Sequence, residues 1–292
     1  MLHVKNMNPG HGNHWECLQK PAEEAIQHII PVTIAKGKLR ESVRRVGMWF
    51  DQGELREETV HSLALGNRGL GSMVLLVTDS ANNRSVLATA YPYASKGKNQ
   101  RLILKEIRDW GNEIEAVLLG ENNKGDEIAF FDTQYFTNRD RYRIGDAYNF
   151  RISGVIYSAR CTNEETITIT DQEQIAAFQD RMPGEPERLP DGTLAPLVIH
   201  YEGCTGYVSV SSDYPEDAEF YCVIEKVVEF ELEGIRIFQI TPKSGDGDVP
   251  LPGLIFGAAS VFKDSYIPKP GDSIGGGLWT QGFLNTGPKK KP

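Results

Sequence analysis

The chain has 292 residues, with 31 Lys and Arg against 40 Asp and Glu, a formal net charge of −9 and a pI of about 5.3. A chain of this length buries more than roughly 70% of its unfolded surface, needs no disulfide or metal for a core and divides into about two domains. Its 40% apolar and 24% charged residues exclude disorder as the main state. The longest apolar runs, residues 73–77 and 251–259, fall far short of the roughly 18 needed to cross a bilayer. Residues 1–10 lack the apolar core of a secretory signal. The expectation is a cytoplasmic protein with no membrane partner. Cys17, Cys161, Cys204 and Cys222 are too few and too scattered for a disulfide framework and are expected to be free thiols.

Residues 21–30 begin with Pro21, place Glu23 and Glu24 in the first turn and repeat Ala22, Ala25, Ile26, Ile29 and Ile30 on one face, which predicts a short amphipathic helix. Residues 39–50 space Leu39, Val43, Val46 and Phe50 three or four apart with Arg40, Arg44 and Arg45 opposite, and predict a second helix packed with the first on the following sheet. The Gly-rich run 66–71 precedes the apolar strand 73–78. A phosphate loop instead follows a strand and opens a helix, so this run reads as a plain connection. Residues 85–91 read as the hairpin partner of 73–78.

From Glu113 onward, strands are predicted at 114–119, 127–131, 147–157 and 166–170, followed by a helix over 171–182 capped by Asp171. Residues 183–196 hold four prolines and read as a linker or exposed loop. Further strands are predicted at 197–201, 207–211, 219–231 and 235–241, with Glu233-Gly234 as a tight hairpin turn and 244–253 as a long loop. Phe130, Phe136, Gly145 and Asp146 recur 126 positions later as Phe256, Phe262, Gly271 and Asp272, each Gly-Asp leading into an expected strand. The expected fold class is α+β and β-rich: N-terminal helices on a small sheet, then antiparallel strand-rich regions forming an OB-like barrel or a sandwich. The expected organisation is a mixed region 1–112, a β-rich region 113–182, the linker 183–196 and a β-rich region 197–292.

The chemistry is sparse. His11, His14 and Cys17 form the densest set of candidate metal ligands, at spacings of three. No Gly-x-Ser-x-Gly elbow occurs, Cys222 lies in an apolar run, and Asp246-Gly-Asp248 lacks the glutamate of a calcium loop at the twelfth position. No catalytic residue and no cofactor is assigned. The basic runs around Lys36, Arg44 and Arg139–Arg143 are interrupted or read as solvated faces, and a net −9 repels phosphate backbones, so nucleic acid is not the expected partner.

Aromatic residues are the remaining raw material. Tyr135, Phe136, Tyr142, Tyr148, Tyr157, Trp279 and Phe283 are the expected interaction residues. The functional expectation is a non-enzymatic protein acting through a protein partner, of an inhibitor or immunity type against a basic or nucleic-acid-processing target, with homo-oligomerisation through strand edges a further option. The alternatives are a single-strand nucleic-acid module on an OB-like scaffold, and a metalloprotein or enzyme built on the His/Cys cluster.

Overall fold

A computed structural model describes residues 11–48, 55–81, 83–179, 187–243 and 251–286. A 3-10 segment, Gly12–Cys17, is followed by α1 (Ala22–Lys36) and by the strands β1 (Lys38–Met48), β2 (Leu55–Asn67), β3 (Leu70–Asp79), β4 (Ser85–Ala94), β5 (Lys98–Asp109), β6 (Ala116–Glu121) and β7 (Glu127–Asp132). After α2 (Tyr135–Asn138) come β8 (Ala147–Cys161), β9 (Thr166–Ile169), α3 (Gln172–Gln179), β10 (Leu197–His200) and β11 (Gly206–Ser209). The chain continues through β12 (Asp217–Leu232), β13 (Ile235–Pro242), β14 (Ile255–Ala258) and β15 (Ser273–Leu284). The fold is strand-rich α+β, and no helix among the described residues is long and apolar enough to cross a membrane.

Strands β1 to β4 form a four-stranded antiparallel meander. The first predicted helix forms and runs past Pro31 to Lys36, its last turn tied to the sheet by contact of the Thr33 and Ser72 hydroxyls. The second does not form: residues 39–48 are strand β1, paired along its length with β2, and Trp49 and Phe50 lie outside the described residues. Leu39 and Val46, assigned to a buried helical face, are each 59% exposed, while Arg45 turns inward to Glu58 at 2.6 Å. Four apolar positions matched a helical period by chance. The period of two is the one the backbone follows, with residues 41, 43 and 45 inward and 42, 44 and 46 outward.

Of the eleven remaining strands, β9 and β10 pair with each other, and the other nine join into one sheet that closes on itself into a barrel, with β11 at its edge. It is built twice. Strands β5, β6 and β7 are antiparallel neighbours, β7 runs parallel to β15, β15 is antiparallel to β8, and β8 returns to β5. Strands β12, β13 and β14 repeat this: β14 runs parallel to β8, and β15 returns to β12. Two five-stranded rings therefore share the β8–β15 ladder. Gly154 pairs with Thr280, 126 positions further on, the offset at which the Phe, Gly and Asp residues recur.

Local detail repeats as well. The Gly145 N–H donates to Leu104 O at 2.8 Å and the Leu104 N–H to Asp146 O at 2.9 Å; Gly271, Ile224 and Asp272 make the same two bonds at 2.8 Å each. Register slips at Leu104/Glu106 in β5 and again at Ile224/Lys226 in β12. Gly145 and Gly271 have φ of 92° and 94°, a backbone region open to glycine at little cost. Leu102, Leu104, Phe130, Phe150 and Ile152 fill the first ring, and Phe220, Cys222, Ile224, Phe238 and Leu278 the second.

The connection from β8 to β12, residues 162–216, carries the β9–β10 pair, α3 and the edge strand β11, with no counterpart between the other repeated elements. Asp171 caps α3 by accepting the Gln174 N–H at 2.9 Å. The described part of the Pro-rich segment folds back on that helix, where the Gln172 side chain bonds both the N–H and the carbonyl of Leu194. Residues 180–186 and the Asp246-Gly-Asp248 stretch lie outside the described residues.

An added Cβ at Gly145 or Gly271 meets nothing within 4 Å, so alanine there adds backbone strain alone, about 1–2 kcal/mol. Gly145→Ala and Gly271→Ala should each lower stability by that amount and to the same extent in urea unfolding. A large difference between the two losses would show that the two turns are not equivalent.

Candidate functional site

The first described residues enter between the two halves of the barrel. His11, 5% exposed, places Nε2 2.7 Å from Oε1 of Glu115, a fully buried carboxylate in the β5–β6 connection. That oxygen also accepts the Thr89 hydroxyl at 2.8 Å, and Oε2 accepts the Asn112 amide at 2.7 Å. The rings of Trp110, Phe131, Tyr91 and Trp279 surround His11 at centroid distances of 4.9–5.4 Å. One turn on, His14 stacks on Trp279 at 4.0 Å and 6°, with Nε2 3.0 Å from Oδ1 of Asp217 at the start of β12. Burial lowers the pKa of His14 against the opposing pull of Asp217, which favours a neutral ring donating its Nε2 proton to that carboxylate.

The pair of histidines is thus a clasp, His11 bonded to the connection that leads into β6 and His14 bonded to β12 of the second repeat. Cys17 is not part of it. Its side chain points into a separate apolar cluster with Trp15, Leu18, Ile29 and Phe256, where burial pushes the thiol well up. The expected metal set His11, His14 and Cys17 is therefore split between two environments. Among the described residues, no group of three or more His, Cys, Asp or Glu side chains could hold a metal ion. Glu115 and Asp217, 104 and 203 positions from their partners, carry no local sequence signal that would have identified them.

The expected interaction aromatics are largely interior. Tyr135, Phe136, Tyr142 and Trp279 are 6%, 5%, 3% and 1% exposed, and Tyr148, Tyr157 and Phe283 are half-buried. For the four buried ones this corrects the reading as a binding surface: Tyr135 and Tyr142 fill the first ring with Phe130 and Phe150, while Phe136 and Trp279 belong to the cluster shared with Val60, Met73 and Val77 of the four-stranded sheet. Tyr142 donates its hydroxyl to Oδ2 of Asp132 at 2.6 Å, and the Gln134 N–H donates to Oδ1 at 2.9 Å. Burial nonetheless raises Asp132 to about 7. Tyr135 and Tyr142 reach solvent at a cavity of about 470 Å³ shared with Asp109, Glu113, Arg139 and Arg143, and Arg139 is paired there with Glu113 at 2.9 Å.

The large apolar side chains that are exposed lie elsewhere. On the β9–β10 pair, Ile167 and Val198 are 44% and 48% exposed; along and beyond β11, Val208, Val210 and Tyr214 are 68%, 55% and 48% exposed. Strand β11 has a partner on one side only, β12, and is an edge of the sheet. His200 lies on the same exposed face as Val198. His28 is exposed on α1, and His61 contacts Ser42 Oγ at 2.9 Å, so neither has the surroundings of a catalytic base. The chain matches no family model, no curated protein and no solved structure.

Two tests follow from burial. Phe136→Ala and Trp279→Ala should each cost about 3–5 kcal/mol in chemical unfolding, whereas intact stability would return these residues to the surface. Burial holds the Glu216 carboxyl at about 7 against 4.5 in water. Between those values the native state keeps a proton that the unfolded chain has released, so this group makes stability fall as pH rises from about 4.5 to 7. Glu216→Gln should match the parent near pH 4 and exceed it by about 3 kcal/mol at pH 8. Equal stabilities at pH 8 would show a solvated carboxylate.

Proposed function

We propose that this chain is a non-enzymatic binding protein that engages a basic protein partner through the inserted segment 162–216. The observation that carries the reading is the coincidence of charge and apolar exposure on one stretch. Residues 162–216 contain eleven Asp and Glu against two Arg, a net −9 equal to that of the whole chain, leaving 29 residues of each sign elsewhere. Glu164, Asp171, Glu173, Glu187, Asp191, Glu202 and Asp213 in this stretch are exposed. Six of the thirteen exposed large apolar side chains among the described residues, Ile167, Leu189, Val198, Val208, Val210 and Tyr214, belong to the same stretch.

Neither feature serves the barrel. A two-stranded pair such as β9–β10 is marginal alone, and an uncovered strand edge such as β11 invites pairing with another chain. An apolar centre with an acidic rim fits a partner that is apolar where it is covered and basic around it. The acidic rim speeds encounter with such a partner, and occlusion of a basic surface is how an inhibitor of a nucleic-acid-processing protein would act.

The Tyr201 N–H donates to Glu165 O at 2.9 Å, so the ends of 166–200 lie close enough for a short Gly-Ser bridge to replace the arm. Full-length and bridged chains should unfold at nearly the same temperature. Capture from nuclease-treated lysate of the source organism should yield a stoichiometric basic protein with the full-length chain alone. With that partner purified, Ile167→Asp and Val198→Asp should weaken binding at least tenfold. Undiminished affinity in the bridged chain would overturn the proposal, as would self-association through β11 as the sole interaction.

A further inference from the structure

The turn between β2 and β3 suggests a second, chemically different site. Asn67 pairs with Leu70, so Arg68-Gly69 is a two-residue hairpin turn, with φ of 49° and 121°. A side chain at Gly69 would meet Cδ of Lys96 at 2.9 Å, and the Ser95 N–H donates to Gly69 O at 2.8 Å. Glycine at this position therefore lets the Lys96 stem lie against the turn. Arg40 reaches the same place from β1, near enough for its charge to act on the Tyr93 phenol. These residues line an open concavity of about 350 Å³, whose lining includes Arg40, Asn67, Arg68, Ser95 and Lys96 and no Asp or Glu. No ion pair is formed by Arg40, Arg68 or Lys96 among the described residues.

The absence of carboxylates from the lining runs against the composition, since the chain has more acids than bases. Arg40, Arg68 and Lys96 are exposed, and three unpaired cations on one concavity leave a positive potential that attracts an anion. Guanidinium forks match the oxygens of a phosphoryl group, and an ammonium adds a compact third charge. Asn67 and Ser95 supply neutral polar groups beside them, although the Asn67 amide already donates to Glu231 O at 2.8 Å. The cavity volume lies within the range of small-molecule sites. The strand–turn–strand context separates this arrangement from a phosphate loop, which relies on a helix N-terminus.

We infer that the β2–β3 turn, with Arg40 and Lys96, forms a binding site for a phosphorylated small molecule. Titration calorimetry of the full chain with inorganic phosphate and with adenosine 5′-monophosphate tests it. The expected result is saturable binding of at least one of them at a single site, weakened at least tenfold by Arg40→Gln and by Arg68→Gln and reduced by Lys96→Gln, with unchanged thermal unfolding in all three. No saturable binding of either probe at millimolar concentration would overturn the inference, as would binding that the three variants leave unmoved. A single-stranded oligonucleotide is titrated alongside. If it binds in a manner lost in the variants while neither small probe binds, the inference falls and the surface belongs to a nucleic-acid strand instead.

Discussion

The antiparallel ladder between β8 and β15 is the constraint on which the rest of the barrel depends. Each strand serves both rings: β8 pairs first with β5 and then with β14, and β15 first with β12 and then with β7. The crossover lies at Gly154 and Thr280. A Cβ at Gly154 would stand 2.5 Å from Cδ1 of Leu278 and 2.8 Å from Cγ2 of Ile255, so the place where the strand passes from one ring to the other has no room for a side chain. A slip of one residue in this ladder would turn the inward residues of both rings outward. Phe150, Ile152 and Leu278, all fully buried, fix the register from both sides.

Around this frame, charge is handled in two ways. In the interior, Glu115, Asp79 and Glu58 are kept with donors, Glu115 with His11, Thr89 and Asn112, Asp79 with Arg56 and Glu58 with Arg45, whereas Oε2 of the buried Glu216 has no hydrogen-bond partner among the described residues. Partnering of this kind offsets a desolvation cost of several kcal/mol per ion. Along the sequence, the residues outside 162–216 are balanced in charge, and the excess negative charge falls in that segment. The histidine clasp belongs to the first category. By bonding Glu115 and Asp217 it ties the first described residues to both repeats at once, and the aromatic rings around it exclude water from those bonds.

Much of the frame was legible because its signals are local or repeated. The strands after Glu113, the Glu233-Gly234 turn with φ of 49° and 82°, and the Gly-Asp turns before β8 and β15 each rest on a short-range backbone demand. The 126-residue offset was visible in four identities, yet the reason for it, a strand pairing with its own counterpart, is a long-range fact. The error over β1 has the opposite origin. Its burial is decided by β2, and a sequence window containing only Leu39, Val43 and Val46 fits either period. The aromatic residues misled for a related reason: Tyr and Phe suit both interfaces and interiors, and what separates the two is the number of strands around them.

What lies outside the repeat is informative for the same reason. Anything that recurs under the 126-residue offset is accounted for by closing two equivalent rings, so a shared role in folding explains it. The four-stranded sheet and the 162–216 insertion have no such counterpart. The acidic arm and the cationic turn both fall in these unrepeated parts, and their charges are opposite. Each is joined to the barrel at β12, the acidic arm through the β11 ladder and the cationic turn through the Asn67 bond to Glu231 O. Two surfaces of opposite sign on one chain would each repel what the other attracts.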